Sequence, residues 1–306
     1  MGRIKNYYHF IIGNFSTMAK VKLYKHKYIF VDGFPHTKNF GDALNTPLVE
    51  FLSGKEVLPS KNISRFFYSI FSFKNYAVIG SILQWMKDGS EVWGAGFITE
   101  KEKVIVPSKI YAVRGPKTRA IYLSKCIECP EIFGDPALLF PLIYNPHIIK
   151  KYTFGIIPHY YDYENPWIEL MRKRDDVLII DLMVRTDYTK VIDQILQCEK
   201  ILSSSLHGVI ISDAYHIPNR QIQLSNKVIG SEFKFADYYL SVGRSVQKAI
   251  NPAEHDLLEI EYSNEIKIDL RKLVLVCPFV KEDIKLNLLH QLNTSQEFSH
   301  LATNLK

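Results

Sequence analysis

Cysteine is scarce, with four in 306 residues, too few to staple a fold with disulfides. Cys126 and Cys129 make a lone CxxC between Lys125 and Pro130, and no second pair follows at zinc-ligand spacing. They read as ordinary reduced thiols in a cytoplasmic protein. With 15 glycines and 14 prolines, collagen-like and low-complexity chains are excluded. No apolar run approaches the roughly 18 residues a membrane span needs. The N-terminal apolar patch is broken by Gly13 and Asn14, and no small-residue cleavage site follows, so no signal peptide is expected. A P-loop, HExxH, GxSxG and Asp-x-Asp are all missing, and Gly94-Ala95-Gly96 has Thr99 where a dinucleotide fingerprint needs its third glycine. Neither charge sign dominates: 38 Lys and Arg against 32 Asp and Glu leave +6. That suits an anionic ligand or surface without selecting one. No basic stripe interleaves with aromatics, so nucleic acid is not an expected partner.

What is present is an ordinary globular balance, 47% hydrophobic and 23% charged, so the chain has enough apolar surface to build a core. The length suggests about two domains. Candidate strands are Lys27–Val31, Tyr76–Gly80, Glu91–Ala95, Lys109–Val113, Phe154–Pro158, Val177–Asp181, Lys200–Ser203 and Gln221–Leu224. Several are continuously apolar, as strands buried on both faces of a parallel sheet are. Between them lie amphipathic stretches at Asp42–Leu52, Pro116–Ser124, Pro166–Arg174, Tyr188–Cys198 and Gly208–Tyr215. The alternation makes the class α/β. The pattern pauses over Phe140–Tyr152, punctuated by Pro141 and Pro146, where the boundary between two domains, 1–145 and 146–306, is expected. Two doubly wound sheets facing a cleft, with ligand at the strands' carboxyl ends, is the architecture this implies. Lys281–Leu305 reads as a terminal helix.

Four segments carry candidate chemistry. In Ile201–Tyr215 a buried strand runs through Ser203, Ser204 and Ser205 into Leu206-His207-Gly208 and an apolar helix. A helix start offers unpaired N–H groups and a partial positive charge to an anion. Gly208 permits close backbone approach, the hydroxyls can donate or cap, and His207 can hold charge or move a proton near neutrality. The plainer reading is a capped helix with a partly exposed histidine. In Lys109–Ala120, Arg114 ends a strand while Lys117 and Arg119 follow Pro116 in the first turns of a helix. The two arginines could clamp a phosphate or carboxylate, and cations in a first turn oppose the helix dipole unless an anion compensates. The plainer reading is a solvated basic face. Asn39-Phe40-Gly41-Asp42 follows the first strand, with Gly41 allowing a tight turn and Asp42 able to cap a helix that ends before Gly54. In Gly134-Asp135-Pro136, the residue before proline is held extended, which suits a shaped turn.

Taken in order, Asn39-Phe-Gly-Asp-Ala-Leu, Val92-Trp-Gly-Ala-Gly-Phe, Val113-Arg-Gly-Pro-Lys-Thr-Arg, Gly134-Asp-Pro-Ala-Leu and Ser204-Ser-Leu-His-Gly resemble the polysaccharide pyruvyl transferase family. The resemblance runs from Asn39 to Asn219. It implies two Rossmann-like domains similar to GT-B glycosyltransferases, phosphoenolpyruvate as donor and a glycan hydroxyl pair as acceptor. The product it implies is a cyclic pyruvate ketal on a capsule, exopolysaccharide or wall polymer. The acceptor side and Arg114/Arg119 then belong to 1–145, and the donor anion site at His207-Gly208 to 146–306. It assigns donor handling to His207 and Arg114, with Arg119 a second candidate, and marks Ser204, Ser205, Leu206 and Gly208 as donor-binding. Where some members carry Arg before Leu-His this chain has Ser205, which leaves Arg114, Arg119 or Lys117 to supply that cation. His207 is the candidate acid or base and Asp42 the candidate hydroxyl base, while Asn39, Gly41 and Asp135 are acceptor-side or structural. Cations stand in for a metal, so no metal and no cofactor are expected. The competing readings are a sugar-nucleotide glycosyltransferase and a catalytically silent glycan-binding paralogue. A lipid-linked acceptor would bring the basic, aromatic N-terminus (Arg3, Lys5, Tyr7, Tyr8, Phe10) to the inner face of a membrane; a plain first strand or arm is the alternative.

Overall fold

A computed structural model describes residues 26–33, 39–62, 73–183 and 187–303. Two parallel sheets alternate with helices. The first comprises β1 (Tyr28–Val31), β2 (Glu56–Pro59), β3 (Asn75–Ala77), β4 (Glu91–Trp93) and β5 (Lys109–Ala112), in the order β2-β1-β3-β4-β5. The second comprises β6 (Tyr152–Ile157), β7 (Val177–Ile179), β8 (Cys198–Ser203) and β9 (Asn219–Gln221), in the order β7-β6-β8-β9. Strand residues such as Val31, Trp93, Ala112, Ile156 and Leu202 are fully buried, as a doubly covered parallel sheet requires. Strand order reverses between β1 and β3 in one sheet and between β6 and β8 in the other. Such switch points leave a crevice at the strands' carboxyl ends.

The elements depart from the sequence expectation in several places. The last strand is Asn219–Gln221 where Gln221–Leu224 is expected. The helix expected over Asp42–Leu52 is two, α1 (Phe40–Ala43) and α2 (Asn45–Ser53), with Gly54 left-handed at φ 63° as its terminator. The edge strand β2 and the helices Ser231–Ser241 and Leu270–Leu275 are additional to the expected elements. The terminal helix stops at Thr294, because Ser295 turns extended and a short 3₁₀ turn lies beyond it at Ser299–Leu301. Finally, the proline-marked pause is not all linker. Pro136–Leu142 is a 3₁₀ turn with every residue buried, packed on α6 (Leu206–Ala214) and inside an apolar core that draws on both sheets. Only the segment from Ile143 to Lys151 is half-buried or exposed. The remaining helices are α3 (Pro116–Leu123), α4 (Pro166–Met171), α5 (Tyr188–Leu196), α7 (Ser231–Ser241), α8 (Leu270–Leu275) and α9 (Glu282–Thr294). The C-terminal segment returns to the first sheet: Trp93 Nε1 donates to the Leu273 carbonyl at 2.9 Å, and Phe279 packs edge-on against Tyr76 and Trp93.

A buried long-range ion pair ties the end of β5 to α7. Arg114, at the end of β5, has no solvent exposure; its Nε donates to Asp237 Oδ2 at 3.0 Å. Asp237 also accepts from Thr118 N–H at 2.9 Å and Thr118 Oγ1 at 2.7 Å, so it caps the start of α3 as it holds the guanidinium. Gly115 and Gly96 sit where a Cβ would strike Asp237 and the guanidinium. No helix among the described residues is long and apolar enough to cross a membrane. The N-terminal residues Arg3, Lys5, Tyr7, Tyr8 and Phe10 lie outside the described residues. Removing one partner of a buried ion pair strands the other charge, so Asp237→Ala should cost about 3–5 kcal/mol in urea unfolding. A cost below about 1 kcal/mol would mean that the tie is not structural.

Candidate active site

The carboxyl ends of the switch-point strands open onto one cavity of about 420 Å³. Gly80, Ser81 and Ile82 follow β3, His159 and Tyr160 follow β6, and Ser205, Leu206 and His207 follow β8. Asn39 and Asp42 enter from α1 and its cap, and Lys234 from α7.

His207 is placed by a chain of short-range bonds. β8 ends in Ser203, whose hydroxyl donates to the Ser205 carbonyl at 2.8 Å and accepts from Ser205 N–H at 3.1 Å. Ser204 Oγ accepts from His159 N–H at 2.8 Å, locking this loop to the one after β6. Helix α6 begins at Leu206, so His207 lies in its first turn. One face of its ring lies on Gly41, where a Cβ would overlap the imidazole at Nδ1. Its side chain is only 15% exposed, and Nε2 stands 3.9 Å from Oδ2 of the fully buried Asp135. Among the described residues both of those atoms lack a hydrogen-bond partner, while Asp135 Oδ1 accepts from Ala137 N–H at 3.0 Å. Burial pushes His207 down to about 3, helped by the positive charges of Arg114 and Lys234. Burial pushes Asp135 up to about 7, against the Ala137 N–H and the Arg114 guanidinium. The separation is within ion-pair range but beyond a hydrogen bond, and both directions disfavour charging the two groups together.

The other expected residues divide. Asn39 caps α1, accepting from Gly41 N–H at 3.0 Å, and Asp42 lines the cavity. Arg114 does not line it. Its Nη1 donates to Ser81 Oγ at 2.6 Å and its Nη2 to the Phe97 carbonyl at 2.8 Å, so it reaches the cavity wall only through Ser81. Arg119 is not brought to Arg114's side: its Nε donates to the Cys129 carbonyl at 3.0 Å and its Nη2 lies 3.9 Å from Glu131. Lys117 lines a separate, open cavity of about 550 Å³, its ammonium 5.3 Å from the Phe233 ring centre. Gly208 makes no room for a ligand, because Ser203 Oγ and Ile157 fill the space its absent Cβ leaves. The structure adds two residues with functional chemistry. Lys234 is buried at the cavity wall, and His159 is pushed down to about 4 by burial and the Lys234 charge. The signal for the lysine is its place between Phe233 and Phe235, since a charge inside an apolar helix face is rarely solvated.

An α/β fold with titratable side chains gathered at its switch points defines a ligand-binding site of the doubly wound class. The family model described as polysaccharide pyruvyl transferase matches residues 3–220, and the chain belongs to that family. It is 27% identical over 212 residues to the succinoglycan biosynthesis protein ExoV of Rhizobium meliloti, covering 67% of this chain and 62% of ExoV. It is 28% identical over 219 residues to the uncharacterized protein L143 of Acanthamoeba polyphaga mimivirus, covering 69% of this chain and 74% of L143. Among solved structures it is similar to Methanocaldococcus jannaschii UDP-GlcNAc 2-epimerase in complex with UDP-GlcNAc and UDP. There the TM-score is 0.42 at 10% identity, over 88% of this chain and 99% of that one.

The His207–Asp135 pair makes opposite contributions to stability with pH. His207 has a lowered folded pKa, so its contribution is present above about 6.5 and is lost as pH falls toward 3. Asp135 has a raised one, so its contribution is present below about 4 and is lost as pH rises through 7. Relative to wild type, His207→Gln should gain stability as pH drops from 6.5 to 4, and Asp135→Asn should lose it. Urea midpoints of the three proteins across that range measure this, and parallel curves would contradict the pairing.

Proposed function

We propose that the chain transfers the three-carbon unit of phosphoenolpyruvate to two hydroxyls of one sugar, closing a cyclic pyruvate ketal and releasing phosphate. The family assignment supports pyruvyl transfer onto a polysaccharide. The observation that supports the finer reading is His207 on the wall of the cavity, packed on Gly41 and facing the buried Asp135, with Asp42 and Lys234 lining the same cavity.

In this scheme a proton adds to the terminal enol carbon, which becomes a methyl group, and the central carbon gains oxocarbenium character. A sugar hydroxyl bonds to that carbon and loses its proton. Phosphate departs with its bridging oxygen, and the second hydroxyl closes the ring and loses its proton too. One of the two hydroxyl protons replaces the one given to the enol carbon, and the other leaves with phosphate or solvent. His207 is the group that moves a proton at the donor, with Asp135 renewing or receiving it at Nε2. Asp42, which lines the same cavity next to Gly41, is the base toward the hydroxyl. Residues 1–145 supply the acceptor side on this reading, and 146–306 the donor side. Arg114 acts by field and by orienting Ser81 rather than as a clamp.

The test is incubation with phosphoenolpyruvate and a panel of glycosyl acceptors, lipid-linked ones included, following ketal product and phosphate together. Equal amounts of both are expected. Nucleotide release from a sugar nucleotide instead would make the protein a glycosyltransferase, and no product with no donor binding would end the proposal. A positioned acid–base group is worth about 10²–10⁴ in rate, so His207→Ala should lower kcat by at least about a hundredfold. A loss under about tenfold would move His207 to a binding role.

A further inference from the structure

We infer that Lys234 is the cation that holds an anionic group of the donor, its phosphate or its carboxylate. The inference rests on the phosphoenolpyruvate reading above. An ammonium has three N–H donors. Lys234 spends one on the Ile229 carbonyl at 3.2 Å, and no carboxylate among the described residues lies within ion-pair distance of it. The side chain is nevertheless only 8% exposed and lines the cavity. A buried ammonium with so few partners is costly by itself, and an anion in the cavity removes that cost.

The neighbours sharpen the point. The other strong cation nearby, Arg114, has all three nitrogens committed to Asp237, Ser81 and the Phe97 carbonyl. Neither histidine of the cavity supplies charge near neutrality, for burial and the Lys234 charge, joined at His207 by that of Arg114, push both down. Asp42 and Tyr160 are the remaining titratable groups on the wall. Lys234 itself is pushed down to about 8 by burial and by the Arg114 guanidinium. It therefore sits where a nearby negative charge raises it and draws in a proton. Its position is fixed from the same helix: Asp237, one turn on, is clamped to Arg114 and Thr118, so α7 cannot slide away from the cavity.

Isothermal titration of phosphoenolpyruvate, with inorganic phosphate as a second probe, tests this. The full chain and its Lys234→Gln and Lys234→Arg variants are titrated at pH 8.5 in two buffers of different ionisation heat. Thermal melts establish that each variant is folded, and Gln removes a buried charge rather than adding one. Wild type should bind phosphoenolpyruvate with net proton uptake. Lys234→Gln should bind about ten- to a hundredfold more weakly, the worth of one charge-assisted hydrogen bond, without the uptake. Lys234→Arg should retain more affinity than Gln and also show no uptake, since its guanidinium is already charged. Wild-type binding matched within twofold by the Gln variant, or proton uptake that persists in it, overturns the role of Lys234 and leaves the donor assignment standing. No binding of phosphoenolpyruvate by wild type overturns both.

Discussion

The buried pair of Arg114 and Asp237 is the constraint on which the site depends. It joins the carboxyl end of β5 to α7 across 123 residues of sequence. One carboxylate restrains the guanidinium, the start of α3 and the helix that carries Lys234. Two isolated ions would not pass into such an interior; the pair is sustained because each polar atom has a partner, Ser81 and the Phe97 carbonyl completing the guanidinium. The family resemblance reads Arg114 as a donor ligand. In the structure it lies behind the cavity wall, and its charge adds to burial in lowering both His207 and Lys234.

Beside the cavity, burial moves two facing groups in opposite directions, the His207 imidazole down and the Asp135 carboxyl up. Among the described residues neither facing atom has a hydrogen-bond partner. That arrangement resists double ionisation. Gly41 makes it possible, since only a residue without Cβ lets the imidazole lie against α1. The Asn39–Asp42 and Leu206–Gly208 segments, far apart in sequence, thus meet as one piece of machinery.

Much of this was legible in the amino-acid order. Strand Tyr152–Ile157 announces itself because Phe154–Ile157, buried on both faces of the sheet, form an unbroken apolar run. The passage from Ser203 to Gly208 is readable for a different reason: strand ends and helix starts have local punctuation. Helix α7 is not, because Phe233, Phe235, Tyr238 and Tyr239 favour strands and bury the helix on several sides, erasing a clean stripe. The true partners of Arg114 and Arg119 are invisible for a similar reason. Nothing local to Val113–Ala120 tells that one guanidinium faces an aspartate in another half of the chain, while the other turns back to Cys129. Gly208 is the instructive case: a glycine at a helix start signals close approach, and the approach is by Ser203 and Ile157 rather than by a ligand.

The most direct measurement is a crystal structure with phosphoenolpyruvate bound. The account predicts the donor inside the 420 Å³ cavity, one anionic group against Lys234 and the enol carbons beside His207. Donor bound instead in the open cavity around Lys117 and Phe233, with the His207 cavity empty, would contradict it.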